Sequence, residues 1–259
     1  MTTTRARFRL QRRIALALAT LVAGYLALVI HPQPLFAYSL QRGNLVLHAR
    51  QPLPPEATPM LEDALARVSR SPLYDAARTH HVFLCDTSAL YAFFALWAHA
   101  SGGVTHTWGV GNAFIRPANV RRGRVIGRSG VEKGGERTLA YYVAHEVTHA
   151  LTAERAGRWG FSRLAAFQKE GYADYVAFAR PVDLRRGRAD LEAETTDMDP
   201  HRSGHYDRYR LLVGYLLQQR HLSVDELLAR RLDRQETERL LVADGAIGGI
   251  LPVDDRTPP

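Results

Sequence analysis

Two histidines four residues apart, His145 and His149, stand in the apolar run Tyr141-Tyr142-Val143-Ala144-His145-Glu146-Val147-Thr148-His149-Ala150. On a helix, side chains at that spacing project from one face, so both imidazoles can reach one metal ion. Glu146 follows the first and points to the side of the pair, where it can hold a metal-bound water and take its proton. With 11 histidines in 259 residues, chance supplies only roughly 0.02 such H-E-x-x-H matches. A second acidic pair follows in Gln168-Lys169-Glu170-Gly171-Tyr172-Ala173-Asp174-Tyr175. Glu170 and Asp174 are again four apart and share a helical face. Glu170 can complete a His₂Glu donor set that leaves the fourth position of a zinc ion open. Asp174 is then suited to accept the other ring N–H of a ligand histidine, His145 first, and so fix its tautomer.

These residues need helices to carry them. Apolar periodicity predicts a helix from Arg137 to Arg155, stopped by Gly157, and a second from an N-cap at Ser162 to about Arg180. Further helices read over Tyr206–Gln219 and Val224–Arg231. Upstream, Asn44–Ala49 and His81–Leu84 read as strands, Met60–Val68 as a helix, and Ala89–His99 as a helix capped by Asp86 or Thr87. Val104–Pro117 reads as strand, Gly bend, strand, and Arg122-Gly123 as a tight hairpin turn. Strands early and helices late indicate an α+β domain, with a mixed sheet on the H-E-x-x-H helix and a helical C-terminal part. Tyr91–Trp97 reads as a core helix rather than a membrane-dipping surface, and Leu184–Arg188 as a solvated basic loop. His80, His81, His99 and His106 lack metal-ligand spacing.

H-E-V-T-H followed by E-G-Y-A-D resembles the gluzincin clan of metallopeptidases, the thermolysin-like and aminopeptidase-like enzymes, and in style the small peptidase MA-like set. The resemblance covers roughly Val104 to Leu228. It implies a thermolysin-like fold, Zn²⁺ and hydrolysis of peptide bonds, with Glu146 as general base. It also implies a substrate-lining strand before the active-site helix, for which Asn112, Ala113 and Phe114 (running on to Ile115) are the candidates. A further residue implied by the clan is an oxyanion donor. Tyr206, nine residues before Tyr215-Leu216, fits that spacing, with Tyr209 and His205 as substitutes. The acidic G-x-M-E-N strand of the aminopeptidases has no counterpart in Gly111-Asn112-Ala113-Phe114, so aminopeptidase specificity is not implied.

Ile14 to Ile30 carries no charge, near the lower length for crossing a bilayer core of about 30 Å. Arg5, Arg7, Arg9, Arg12 and Arg13 precede it directly. The positive-inside rule puts that end in the cytoplasm and the rest across the membrane. Leu35-Phe36-Ala37 is a poor cleavage site, which favours an uncleaved anchor over a signal peptide cut near Ala37. The same five arginines account for much of the net charge of +8, and no nucleic-acid-binding pattern accompanies the rest, so nucleic acid is set aside. One cysteine, Cys85, excludes an intrachain disulfide framework.

The expected organisation is a basic cytoplasmic tail (1–13), a transmembrane anchor (14–30), a linker (31–40), a gluzincin-like peptidase domain (41–245) and an irregular tail (246–259). The expected function is a membrane-anchored zinc peptidase acting on peptides or proteins outside the cytoplasm. The competing expectation is a metal- or peptide-binding module of the same fold without turnover, serving as an envelope scaffold or regulator.

Overall fold

A computed structural model of the chain describes residues 2–248. In chain order the elements are α1 (Thr2–Ile30), β1 (Tyr38–Arg42), β2 (Leu45–Ala49), α2 (Ala57–Val68), β3 (His80–Leu84), α3 (Ser88–Ala95), β4 (Gly103–Thr105), β5 (Ala113–Ile115), β6 (Ala118–Asn119) and β7 (Arg124–Val125). The remainder is helical: α4 (Leu139–Arg163), α5 (Ala166–Phe178), α6 (Leu184–Glu192), α7 (Pro200–Ser203), α8 (Asp207–Gly214), α9 (Val224–Ala229) and α10 (Arg234–Gly248). The class is α+β.

Five strands form a mixed sheet in the order β1-β2-β3-β5-β4. The two central pairings, β2 with β3 and β3 with β5, are parallel; the outer two are antiparallel. Alternation along the strands divides the side chains between two faces. Leu45, Leu47, Val82, Leu84, Ala113 and Ile115 join α2 and α4 in one core. Phe83 and Phe114 face the other way, against Phe36, Tyr91, Phe94 and the end of α1. A third core, built on Phe167, Tyr172, Leu212, Val213, Tyr215 and Leu227, unites α5 with the C-terminal helices.

The axis of the domain is α4. Every residue from Leu139 to Ala153 is buried, so this helix runs through the interior of the domain with neighbours on every face. Thr138 caps its start by accepting from Tyr141 N at 3.2 Å. Gly157 breaks its regularity with φ 70 and ψ 157, so the predicted stop is a kink after which the helix resumes to Arg163. Ser162 therefore does not cap the next helix; its hydroxyl donates to Trp159 O, and α5 starts at Ala166 after an N-cap at Ala165, whose N–H Gln168 Oε1 accepts.

Other expectations shift. The basic tail is helical from Thr2 and continuous with the apolar stretch. The linker is not free, because Phe36 is buried against Phe83 at 5.0 Å and β1 begins at Tyr38. Leu184–Arg188 is the first part of α6 rather than a loop, with Asp183 capping it through Arg186 N. Tyr206 precedes α8, which ends in a widened turn over Tyr215–Gln219. Gly245 lies inside α10, and 249–259 fall outside the described residues.

Candidate metal centre and groove

α4 and α5 bring the predicted ligands together. Their opposed faces put Glu170 Oε2 3.3 Å from His145 Nε2 and 3.4 Å from His149 Nε2, while the two imidazole nitrogens are 3.2 Å apart. Ligand atoms about 2.0–2.1 Å from one ion in tetrahedral array stand about 3.3–3.4 Å from one another. The three donors thus form one triangular face of such a site, and the group could hold a metal ion. Its electrostatics agree. Burial opposes charge on His145, yet the Asp174 and Glu170 carboxylates raise its pKa to about 10. Burial also opposes charge on Glu170, but His149 and His145 hold it well below the usual carboxylate range. A pocket that draws a proton onto an imidazole is one suited to a cation.

Behind the triangle stands Asp174, fully buried, with Oδ1 2.9 Å from His145 Nδ1. The contact is close but lies outside hydrogen-bond geometry. Tyr141 donates its hydroxyl to the same oxygen. Arg137 Nη2 sits 3.7 Å from Oδ2 and 2.9 Å from Asp207 Oδ2, so the buried carboxylate has a countercharge in reach. Tyr141, four residues before His145, shares its face of α4, a spacing that sequence reading could have used; Arg137 precedes the helix, and its place beside Asp174 follows from the crossing of α4, α5 and α8. That crossing depends on Gly171, where a Cβ would overlap the carbonyl of Tyr209 on α8.

Glu146 is held beside the ligand histidines, against the strand β4. Thr105 Oγ1 lies 2.7 Å from Glu146 Oε2 and 2.8 Å from the Glu146 carbonyl. A Cβ at Gly103 would stand 2.6 Å from Glu146 Cγ, so only glycine lets the strand pass so near. Burial raises the pKa of Glu146, with His149, His145 and the Thr105 hydroxyl acting in the opposite sense.

The ligands and Glu146 open into a groove of about 330 Å³. Tyr206 lines it, its ring stacked on His145 with centroids 6.2 Å apart. Burial and the nearby carboxylates raise its phenol, which therefore keeps its proton at neutral pH. His205 also lines the groove; Tyr209 stacks behind Tyr206 at 5.7 Å.

The strand expectation is corrected. Ala113 and Phe114 lie on β5, an interior strand paired on both sides and wholly buried. Asn112 is buried too and turns its amide toward the carbonyls of Val29 and Ile30. The groove wall is β4, the sheet edge next to α4. Gly102 O and His106 N bond to the β5 side, so alternation aims the backbone of Gly103 and Thr105 at the free edge. Strand order, invisible to local pattern, decides which of two neighbouring strands faces the site.

Comparison of the chain with protein-family models and with curated proteins finds no match for either.

Proposed function

We propose that this chain is a membrane-anchored zinc peptidase of the gluzincin type, hydrolysing peptide bonds in a groove between β4 and α4. One observation carries the reading: the triangle of His145, His149 and Glu170 with edges of 3.2–3.4 Å, beside a buried glutamate that is not part of it. Two imidazoles and one carboxylate in tetrahedral spacing suit Zn²⁺. Bound there, zinc would supply Lewis acidity toward the scissile carbonyl and acidify a water toward a pKa of about 7.

The chain's own groups do the rest. Glu146, with its pKa raised by burial, takes the proton of the attacking water and later delivers it to the leaving amine. Thr105 orients that carboxylate. Tyr206 keeps its phenolic proton and donates to the oxyanion that develops on the carbonyl. The free edge of β4 offers the N–H groups of Gly103 and Thr105 to an extended peptide, which adds as a further strand, while their carbonyls already accept from Ser101 Oγ and Thr107 N. Asp174, 2.9 Å from Nδ1, and the Tyr141 ring pack against His145 on the side away from the metal site.

α1 contains one stretch, Leu10–Ile30, long and apolar enough to cross a membrane. With the arginines before Ile14 on the cytoplasmic side, the groove faces the extracytoplasmic space. Incubating the full chain in detergent with a peptide library tests the proposal. Cleavage abolished by a chelator and restored by Zn²⁺ is the expected result. A folded, zinc-loaded chain that cleaves nothing would favour the non-hydrolytic module.

A further inference from the structure

The end of α1 is built into the domain. Asn112 Nδ2 donates to the carbonyls of Val29 (2.9 Å) and Ile30 (3.1 Å), acceptors that a helix terminus otherwise leaves unpaired. Val29 and Phe36 are buried with Phe83, Phe94 and Phe114. Such a junction sets the height and tilt of the domain against the helix axis. Tyr25 lies five residues before the helix end, about 7.5 Å further along the axis. Its ring meets Phe93 of α3 edge-on at 5.2 Å. A side chain of the folded domain therefore reaches back alongside the apolar span.

That contact belongs to a larger patch. Phe93 and Leu96, at the outer end of α3, are 39% and 40% exposed. His106 Nε2 donates to Phe94 O at 2.9 Å, tying the next loop to the same level. In that loop Trp108 and Val110 are 54% and 56% exposed, and Gly109 between them faces Ile30. Trp159, 69% exposed beyond the kink in α4, meets Trp108 edge-on at 5.0 Å. Clustered exposed apolar groups mark an interaction surface, and tryptophan favours the layer between hydrocarbon and headgroups. The patch is continuous with α1, among the described residues the one helix long and apolar enough to cross a bilayer, which identifies its occupant as lipid.

We propose that Phe93, Leu96, Trp108, Val110 and Trp159 form a collar seated in the interfacial layer of the leaflet where α1 ends. The groove is lined by Ala98, Thr107 and Phe161, each one or two residues from a collar side chain. It therefore opens at the lipid surface, and its substrates are peptide segments lying on or emerging from the membrane. The substrate clause rests on the peptidase reading, and the collar rests on α1 as a membrane span.

The test uses full-length chain in phosphatidylcholine/phosphatidylglycerol nanodiscs containing lipids brominated at shallow or deep acyl positions. One variant, Trp97→Phe with Trp159→Phe, leaves Trp108 as its sole fluorophore; a second, Trp97→Phe with Trp108→Phe, leaves Trp159. A third lacks all three and carries Leu21→Trp within α1. The collar requires blue-shifted emission from Trp108 and Trp159, quenched more by shallow than by deep bromines. If Leu21→Trp is quenched while Trp108 and Trp159 are not, whether solvated or covered by protein, the collar is refuted and the anchor stands. If none is quenched, both membrane readings fall. In parallel, Trp108→Asp should slow cleavage of a lipid-tethered peptide and leave cleavage of the same peptide in solution unchanged; equal rates on both would refute the substrate clause. A chain with shallow quenching that cleaves neither peptide keeps the collar and refutes the peptidase.

Discussion

The hydroxyl of Thr105 stands 2.7 Å from the carboxylate of Glu146 and 2.8 Å from its backbone carbonyl, joining the sheet edge to α4. One side chain thus sets both the direction of the Glu146 carboxylate, the proposed base, and the spacing of the groove wall. Thr105→Val keeps the shape and removes the bond, and a buried polar group left without its partner costs about 1–3 kcal/mol. Turnover should fall roughly tenfold or more, while metal content stays unchanged and Thr105→Ser retains most activity. Steady-state cleavage rates with metal analysis check this. A Thr105→Val enzyme as fast as wild type would remove Thr105 from the mechanism.

The ligand triangle makes a separate prediction. Alanine at His145, His149 or Glu170 removes one corner and should abolish stoichiometric zinc, measured on protein purified in detergent. Asp174→Asn leaves all three corners and should weaken zinc affinity or activity by roughly 10–100-fold, as changes behind a ligand histidine do. Full zinc affinity in Glu170→Ala would show that the third ligand lies elsewhere.

The ligand set was legible in the sequence because four-residue spacing on two helices is a local rule. Helix α4, strands β2 and β3, and the Arg122-Gly123 hairpin were legible for the same reason. What depended on tertiary placement was not. Asn112–Ile115 and Gly103–Thr105 look alike as short apolar strands, and only the order β3-β5-β4 puts the second at the edge beside Glu146. Arg137 and Asp207 are 70 residues apart, and nothing local links either to Asp174. Tyr91–Trp97 divides in the same way: Tyr91 and Phe94 are core, while Phe93 and Leu96 turn outward.

Stability should depend on a histidine pair far from the groove. His48 stacks on Phe83 at 4.6 Å, and its Nε2 lies 2.9 Å from His81 Nδ1. Burial and the neighbouring His81 lower the pKa of His48 to about 4, against an ordinary value of about 6.5. Between those values the unfolded chain binds the extra proton, so this contribution is complete above about pH 6.5 and is lost as pH falls toward 4. Thermal midpoints at pH 7.5 and 5 should therefore differ more for wild type than for His48→Phe. An identical drop in both would contradict the assignment.

Orientation is tested at the two ends of the chain. A reporter active only in the cytoplasm should be inactive when fused after Pro259 and active when fused before Met1. A cytoplasmic C-terminus would overturn the arginine-based topology. Recovery of a mature chain beginning near Tyr38 would convert the anchor into a cleaved signal and leave the proposed peptidase activity untouched.

Glu146 is where chemistry and binding separate. Glu146→Gln preserves side-chain size and the Thr105 contact, touches none of the three ligands, and removes the proton acceptor. The measurement is cleavage of a peptide library by this variant beside its zinc content. Zinc should remain near one per chain while cleavage falls by at least about 10²–10⁴-fold, the contribution of general acid–base catalysis. A zinc-loaded Glu146→Gln protein that cleaves at the wild-type rate would contradict the assignment of Glu146 as the base and, with it, the mechanism proposed for this chain.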